Sequence, residues 1–129
     1  MIKIFGDTSD LGAIRELDKN PLVAGFTTNP TLMNKAGVRD YEKFCKEALS
    51  ITDKPISFEV FADDFDEMKR QAMIISSWGK NVYVKIPITN TKGESSCDLI
   101  ELLLNDGIKV YVTAITTPNQ VMDIFIGNN

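Results

Sequence analysis

The sequence predicts an α/β protein of parallel strand–helix repeats, the first five units of a TIM (β/α)8 barrel. Three observations lead there. Short β-branched apolar runs alternate with helical patterns along the chain, as in a parallel sheet with right-handed crossovers. Each strand carries a polar group near its C-terminal end, on the face opposite its most aliphatic residues. The chain has 129 residues, whereas a complete barrel typically needs about 250 and compact examples about 200. A single partial barrel domain over residues 1–129 is therefore expected.

The elements follow in order. Ile2-Lys3-Ile4-Phe5-Gly6 is a strand, and Thr8 or Ser9 can cap the helix that runs on through Leu17. Leu22-Val23-Ala24-Gly25-Phe26 is the second strand. A short helical turn from Pro30 to Lys35 precedes a helix from Asp40 to Ile51, with Tyr41, Phe44, Cys45 and Ala48 at helical spacing. Ile56 to Phe61 is the third strand. Phe65 to Trp78 is its helix, with Met68, Ala72 and Ile75 on one stripe. Val82-Tyr83-Val84-Lys85-Ile86-Pro87 is the fourth strand, ended by proline. A helix from about Gly93 to Asn105 and a fifth strand, Ile108 to Thr113, follow. Thr116 or Thr117 then caps a short helix with Pro118 in its first turn and Gly127 at its end.

Strand parity separates two architectures. Lys85 shares a face with Tyr83, opposite Val82, Val84 and Ile86. Glu59 shares one with Ser57, opposite Phe58 and Val60. Thr113 and Tyr111 lie opposite Val110 and Val112; Asp7 continues the face of Phe5 and Lys3; Asn29 continues that of Gly25 and Thr27. A doubly wound sheet covers both faces with helices and would leave these groups buried and unpaired. In a barrel they line one interior, and catalytic groups collect at its C-terminal mouth. The simpler account, strand-end caps meeting solvent, suits any one of these residues better than five in succession.

Lys85 carries the chemistry. A lysine inside such a strand is costly to desolvate, and desolvation favours the neutral amine. A neutral amine attacks carbonyls, which points to a Schiff base. The chain contains no histidine. That removes Ser–His and Cys–His nucleophiles and His-ligated metals, leaving acid–base work to carboxylates, lysine, tyrosine or water.

Composition narrows the rest. Hydrophobic residues make up 43% and charged residues 25%, as in a globular protein. The net charge of −4 and scattered basic residues give no nucleic-acid surface. No apolar run is long enough to span a membrane and the N-terminus has no signal-peptide pattern, so a cytoplasmic location is expected. Cys45 and Cys97 suit reduced thiols.

Five stretches resemble the transaldolase family, in particular its short-chain branch. They are Phe5-Gly6-Asp7-Thr8-Ser9-Asp10, Gly25-Phe26-Thr27-Thr28-Asn29-Pro30, Ser57-Phe58-Glu59-Val60, Val84-Lys85-Ile86-Pro87-Ile88-Thr89 and Val112-Thr113-Ala114-Ile115. The resemblance implies a class I aldolase mechanism without metal or organic cofactor, acting on sugar phosphates. Lys85 would form an iminium with a ketose and hold a dihydroxyacetone unit for transfer to an aldose. The implied reaction converts sedoheptulose 7-phosphate and glyceraldehyde 3-phosphate to erythrose 4-phosphate and fructose 6-phosphate, in the pentose phosphate pathway. By motif, Asp7 would take the proton of the donor hydroxyl, and Glu59 and Thr113 would position a proton-shuttling water. Asn29, with Thr28 beside it, would contact substrate. Related fructose-6-phosphate aldolases tend to have glutamine where this chain has Glu59, so glutamate favours group transfer.

Two departures stand against that pattern. The family often has asparagine where this chain has Tyr111, which would narrow the substrate site. Its phosphate-binding serine and arginine lie on later strands; Arg15, Arg39 and Arg70 here fall on helices or the loop before one. Unpaired first and fifth strand edges would attract other strands, so a homo-oligomer is expected. The competing readings are a fructose-6-phosphate aldolase and a non-catalytic assembly partner. The remaining features have structural explanations. Ser95 or Ser96 caps a helix after Gly93-Glu94, and Trp78 ends a helix and packs on the neighbouring unit. Met68, Met73 and Met122 fill core gaps. The Asp63-Asp64-Asp66-Glu67 cluster complements a helix N-terminus rather than forming a metal site.

Overall fold

A computed structural model describes residues 3–28, 30–35 and 37–114. The elements run β1 (Ile4–Asp7), α1 (Leu11–Asp18), β2 (Val23–Thr27), α2 (Pro30–Lys35), α3 (Tyr41–Ile51), β3 (Ile56–Glu59), α4 (Phe65–Ser76), β4 (Val82–Pro87), α5 (Cys97–Asn105) and β5 (Val110–Thr113). The strands belong to one sheet in chain order, and the pairs β1–β2, β2–β3 and β4–β5 are parallel. This is the topology of the first five βα units of a (β/α)8 barrel. The residues group into two compact units, 1–59 with 78–82, and 60–77 with 83–129. Ile2 and the helix expected between Thr116 and Gly127 lie outside the described residues.

In the first unit, Asp10 and not Thr8 or Ser9 caps α1. Its carboxylate accepts from the Gly12 and Ala13 N–H groups at 2.8 and 3.4 Å. Thr8 Oγ1 instead accepts from the Asp10 N–H and shapes the turn before the cap. A carboxylate at this position satisfies free donors and also complements the helix dipole. Asp40 caps α3 in the same way, accepting from Lys43 N–H at 3.1 Å. One face of α3 buries Phe44, Cys45 and Ala48, as the helical spacing predicts. Gly25 is required by close approach. A Cβ there would lie 2.5 Å from the Pro55 carbonyl oxygen and 2.8 Å from the Phe5 ring. Trp78 lies just past the end of α4, two residues beyond Ser76, and its ring meets Tyr41 and Phe58 with centroids 6.3 and 6.4 Å apart. On β1, Ile4 and Phe5 are each 51% exposed.

In the second unit, Asp64 caps α4 by accepting from Glu67 N–H at 3.1 Å, with Asp66 and Glu67 in the first turn. The acidic cluster thus meets the helix dipole as the sequence suggests. Met68, Ala72 and Ile75 form the buried stripe of α4. α5 begins at Cys97 rather than Gly93. The reason is a tight turn: Asn90 Oδ1 accepts from Lys92 and Glu94 N–H, Thr89 bridges to Ser95, and Gly93 has φ +80°. Ser95 Oγ accepts from Cys97 N–H at 3.2 Å, whereas Ser96 Oγ donates to the Pro87 and Ile88 carbonyls. Past the end of α5, Gly107 has φ +80°, its N–H donates to the Leu104 carbonyl and the Ile108 N–H donates to the Leu103 carbonyl. That pair of hydrogen bonds around a left-handed residue is a Schellman stop.

Candidate active site

The strands deliver their polar residues by alternation. In β4, Val82, Val84 and Ile86 are buried while Tyr83, Lys85 and Pro87 are half-buried. Lys85 therefore leaves the strand on the face away from its packed valines and isoleucine. In the second unit Lys85 pairs in register with Tyr111, and its Nζ lies 6.0 Å from the Tyr111 ring centroid. Thr113 pairs with Pro87 at the C-terminal end of the two strands, and its carbonyl accepts from Ile88 N–H at 2.9 Å. The Lys85 carbonyl accepts from Val60 N–H at 3.2 Å. The loop after β4 is tied to the loop before α4, where Asp63 accepts from both the N–H and the hydroxyl of Thr91 at 2.7 Å. These two bonds, the backbone one first, hold the Asp63 carboxyl below the usual carboxylate range.

In the first unit Asp7 ends β1 and pairs in register with Thr27, whose hydroxyl donates to Asp7 Oδ1 at 3.1 Å. Thr28 is fully buried and its hydroxyl donates to the Ser57 carbonyl at 2.8 Å. Glu59 ends β3 and is half-buried. The Tyr41 hydroxyl donates to the Glu59 carbonyl at 2.9 Å. Asn29 lies outside the described residues.

The hydroxyl contacts to β3 share one cause. Alternate residues of a strand send their peptide groups toward the same neighbour. Phe26 N–H donates to the Pro55 carbonyl at 2.8 Å, so the carbonyls of Pro55, Ser57 and Glu59 face the β2 side. β2 ends at Thr27. Beyond it, the side chains of Thr28 and Tyr41 replace the missing backbone donors. A buried carbonyl left without a donor would cost roughly 1–3 kcal/mol.

Sequence reasoning placed Tyr41 on a helical stripe and missed its bond to Glu59. It also gave Thr27 no role. The Thr27–Asp7 contact was recoverable, because residues at matching ends of neighbouring parallel strands share a face. The Tyr41 contact had no such signal, since it joins the first turn of a helix to a strand end 18 residues away.

Residues 4–125 match the family described as Transaldolase/Fructose-6-phosphate aldolase. A probable transaldolase 2 from Listeria monocytogenes is 40% identical over 119 residues, which cover 92% of this chain and 52% of the relative. A probable transaldolase from a Thermoanaerobacter species is 39% identical over 121 residues, 94% of this chain and 54% of the relative. One from Streptococcus agalactiae is 40% identical over 119 residues, 92% and 53%. The chain spans about half the length of these curated relatives. By this match over most of its length, the chain belongs to the transaldolase/fructose-6-phosphate aldolase family.

Proposed function

We propose that this chain carries transaldolase-type Schiff-base chemistry on sugar phosphates in the cytoplasm, within the pentose phosphate pathway. The observation that supports it most is the placement of Lys85, the one charged side chain of β4, leaving the strand on the face away from buried Val82, Val84 and Ile86. Its amine adds to the ketose carbonyl of sedoheptulose 7-phosphate, and loss of water gives the iminium. Cleavage of the neighbouring carbon–carbon bond sends its electron pair to the iminium nitrogen, leaving an enamine. The hydroxyl proton on the departing carbon passes to Asp7. The enamine then adds to glyceraldehyde 3-phosphate or another aldose, and hydrolysis frees the lysine. Glu59 and Thr113 hold the water that moves protons in the first and last steps. Thr28, Asn29 and Tyr111 shape the substrate site, and no metal or organic cofactor enters the cycle.

Borohydride reduction with fructose 6-phosphate tests the reading. It should leave a stable mass increment on Lys85, lost in Lys85→Met and kept in Lys109→Met, whose Nζ also lies by a tyrosine ring, 5.5 Å from the Tyr83 centroid. Absence of the adduct on folded protein rejects it. Release of free dihydroxyacetone without an acceptor would identify a fructose-6-phosphate aldolase instead.

The exposed Ile4 and Phe5 favour a second reading, a non-catalytic assembly partner. That reading predicts no exchange of the three-carbon unit. Association with a second copy, which either reading permits, should appear in light scattering as more than one chain per particle. A monomer at all concentrations would remove it.

A further inference from the structure

Tyr41 opens α3, directly after the Asp40 cap. Its ring meets Phe58 edge-on, with centroids 6.5 Å apart and planes at 79°, and meets Trp78 at a tilt of 57°, with centroids 6.3 Å apart. Phe58 and Trp78 also meet each other at 6.4 Å, so the two rings together fix the phenol's direction. The hydroxyl at its tip donates to the Glu59 carbonyl. The N–H of that same peptide group, on Val60, is likewise bonded, to the Lys85 carbonyl. A peptide group held at both ends restricts rotation about the Cα–C bond of the residue before it, which is Glu59, and so narrows the directions its side chain can take.

We infer that Tyr41 is a positioning residue for the Glu59 carboxylate, acting through the Glu59 backbone from outside the reacting groups. The inference rests on the role proposed above for Glu59. Desolvation, followed by the neighbouring Cys45 thiol, pushes the Tyr41 phenol far above its ordinary range. The phenol thus keeps its proton, and its bond to Glu59, at every pH where the chemistry would run.

Tyr41→Phe isolates the bond, since it keeps the ring against Phe58 and Trp78. Two readouts test it. In the intact chain, Tyr41→Phe should slow formation of the borohydride-trapped Lys85 adduct about tenfold, the worth of one hydrogen bond. In a Glu59→Gln background the same change should alter the rate less than about twofold, because the group being positioned is gone. Equal slowing in both backgrounds, or no slowing, overturns the inference. The second readout needs no turnover. Side-chain χ1 couplings of Glu59 measured by NMR should report one rotamer in the parent and averaging in Tyr41→Phe; unchanged couplings overturn the inference. An absent adduct in the parent would sink the Schiff-base reading alone, while the couplings would still decide the role of Tyr41.

Discussion

β4 and β5 begin with the same three residues, Val-Tyr-Val, and become different strands. Val82 and Val84 are 3% and 0% exposed, while Val110 and Val112 stay half-buried. Tyr83 is half-buried and Tyr111 is 48% exposed. Identical local sequence cannot cause that difference. Among the described residues β4 is interior in the strand order and β5 is last in it, so burial follows the number of neighbours. The two strands also form mirror-image contacts, Lys85 with Tyr111 and Lys109 with Tyr83. Such contacts contribute about 0.5–1 kcal/mol at exposed sites, too little to make either lysine chemically special. What distinguishes Lys85 is its place in the strand with buried Val84 and Ile86 on either side.

Matched truncations test this directly and should give the largest effect. Val84→Ala removes fully buried apolar area and leaves a cavity, an expected loss of about 2 kcal/mol in urea unfolding. Val112→Ala removes half-buried area with room to relax and should cost less than about 1 kcal/mol. Equal losses would mean that β5 is as enclosed as β4 and would break the comparison.

The same division between local pattern and neighbours decides what the sequence made legible. α2 at Pro30–Lys35 and β4 at Val82–Pro87 agree with the sequence reading to the residue. Both are bounded by proline, whose covalent geometry acts without help from elsewhere. The parity of Lys85 was legible for a similar reason: period two belongs to the strand itself. The starts of α1 and α5 were not. Several residues before each helix could cap it, and the choice fell to turns closed by Thr8 and Asn90. Tyr41 shows the limit most clearly. Its helical spacing predicted a place facing the core, but its bond to Glu59 depends on where β2 stops and on two rings that fix its aim.

The two cysteines extend the comparison to a second pair of like residues with unlike surroundings, with a smaller expected effect. Cys45 is 0% exposed on the core face of α3, and Cys97 is partly exposed at the start of α5. At mildly alkaline pH a thiol reagent should modify Cys97 promptly and Cys45 only as fast as the fold opens. Burial pushes the Cys45 thiol and the Tyr41 phenol well above their ordinary values of 9.0 and 10.0. In the folded chain both groups hold their protons more tightly than in the unfolded chain, so unfolding at high pH releases protons. Their contribution is complete below the unfolded values and falls as pH rises past them toward the folded ones. The slope is at most about 1.4 kcal/mol per pH unit for each group. Stability measured in urea from pH 8 to 11 should therefore decline, and Cys45→Ala with Tyr41→Phe should flatten that decline even while lowering stability at pH 8. A decline unchanged by the double substitution would show that other groups carry the alkaline transition. Prompt labelling of Cys45 would show that α3 opens without the rest of its unit.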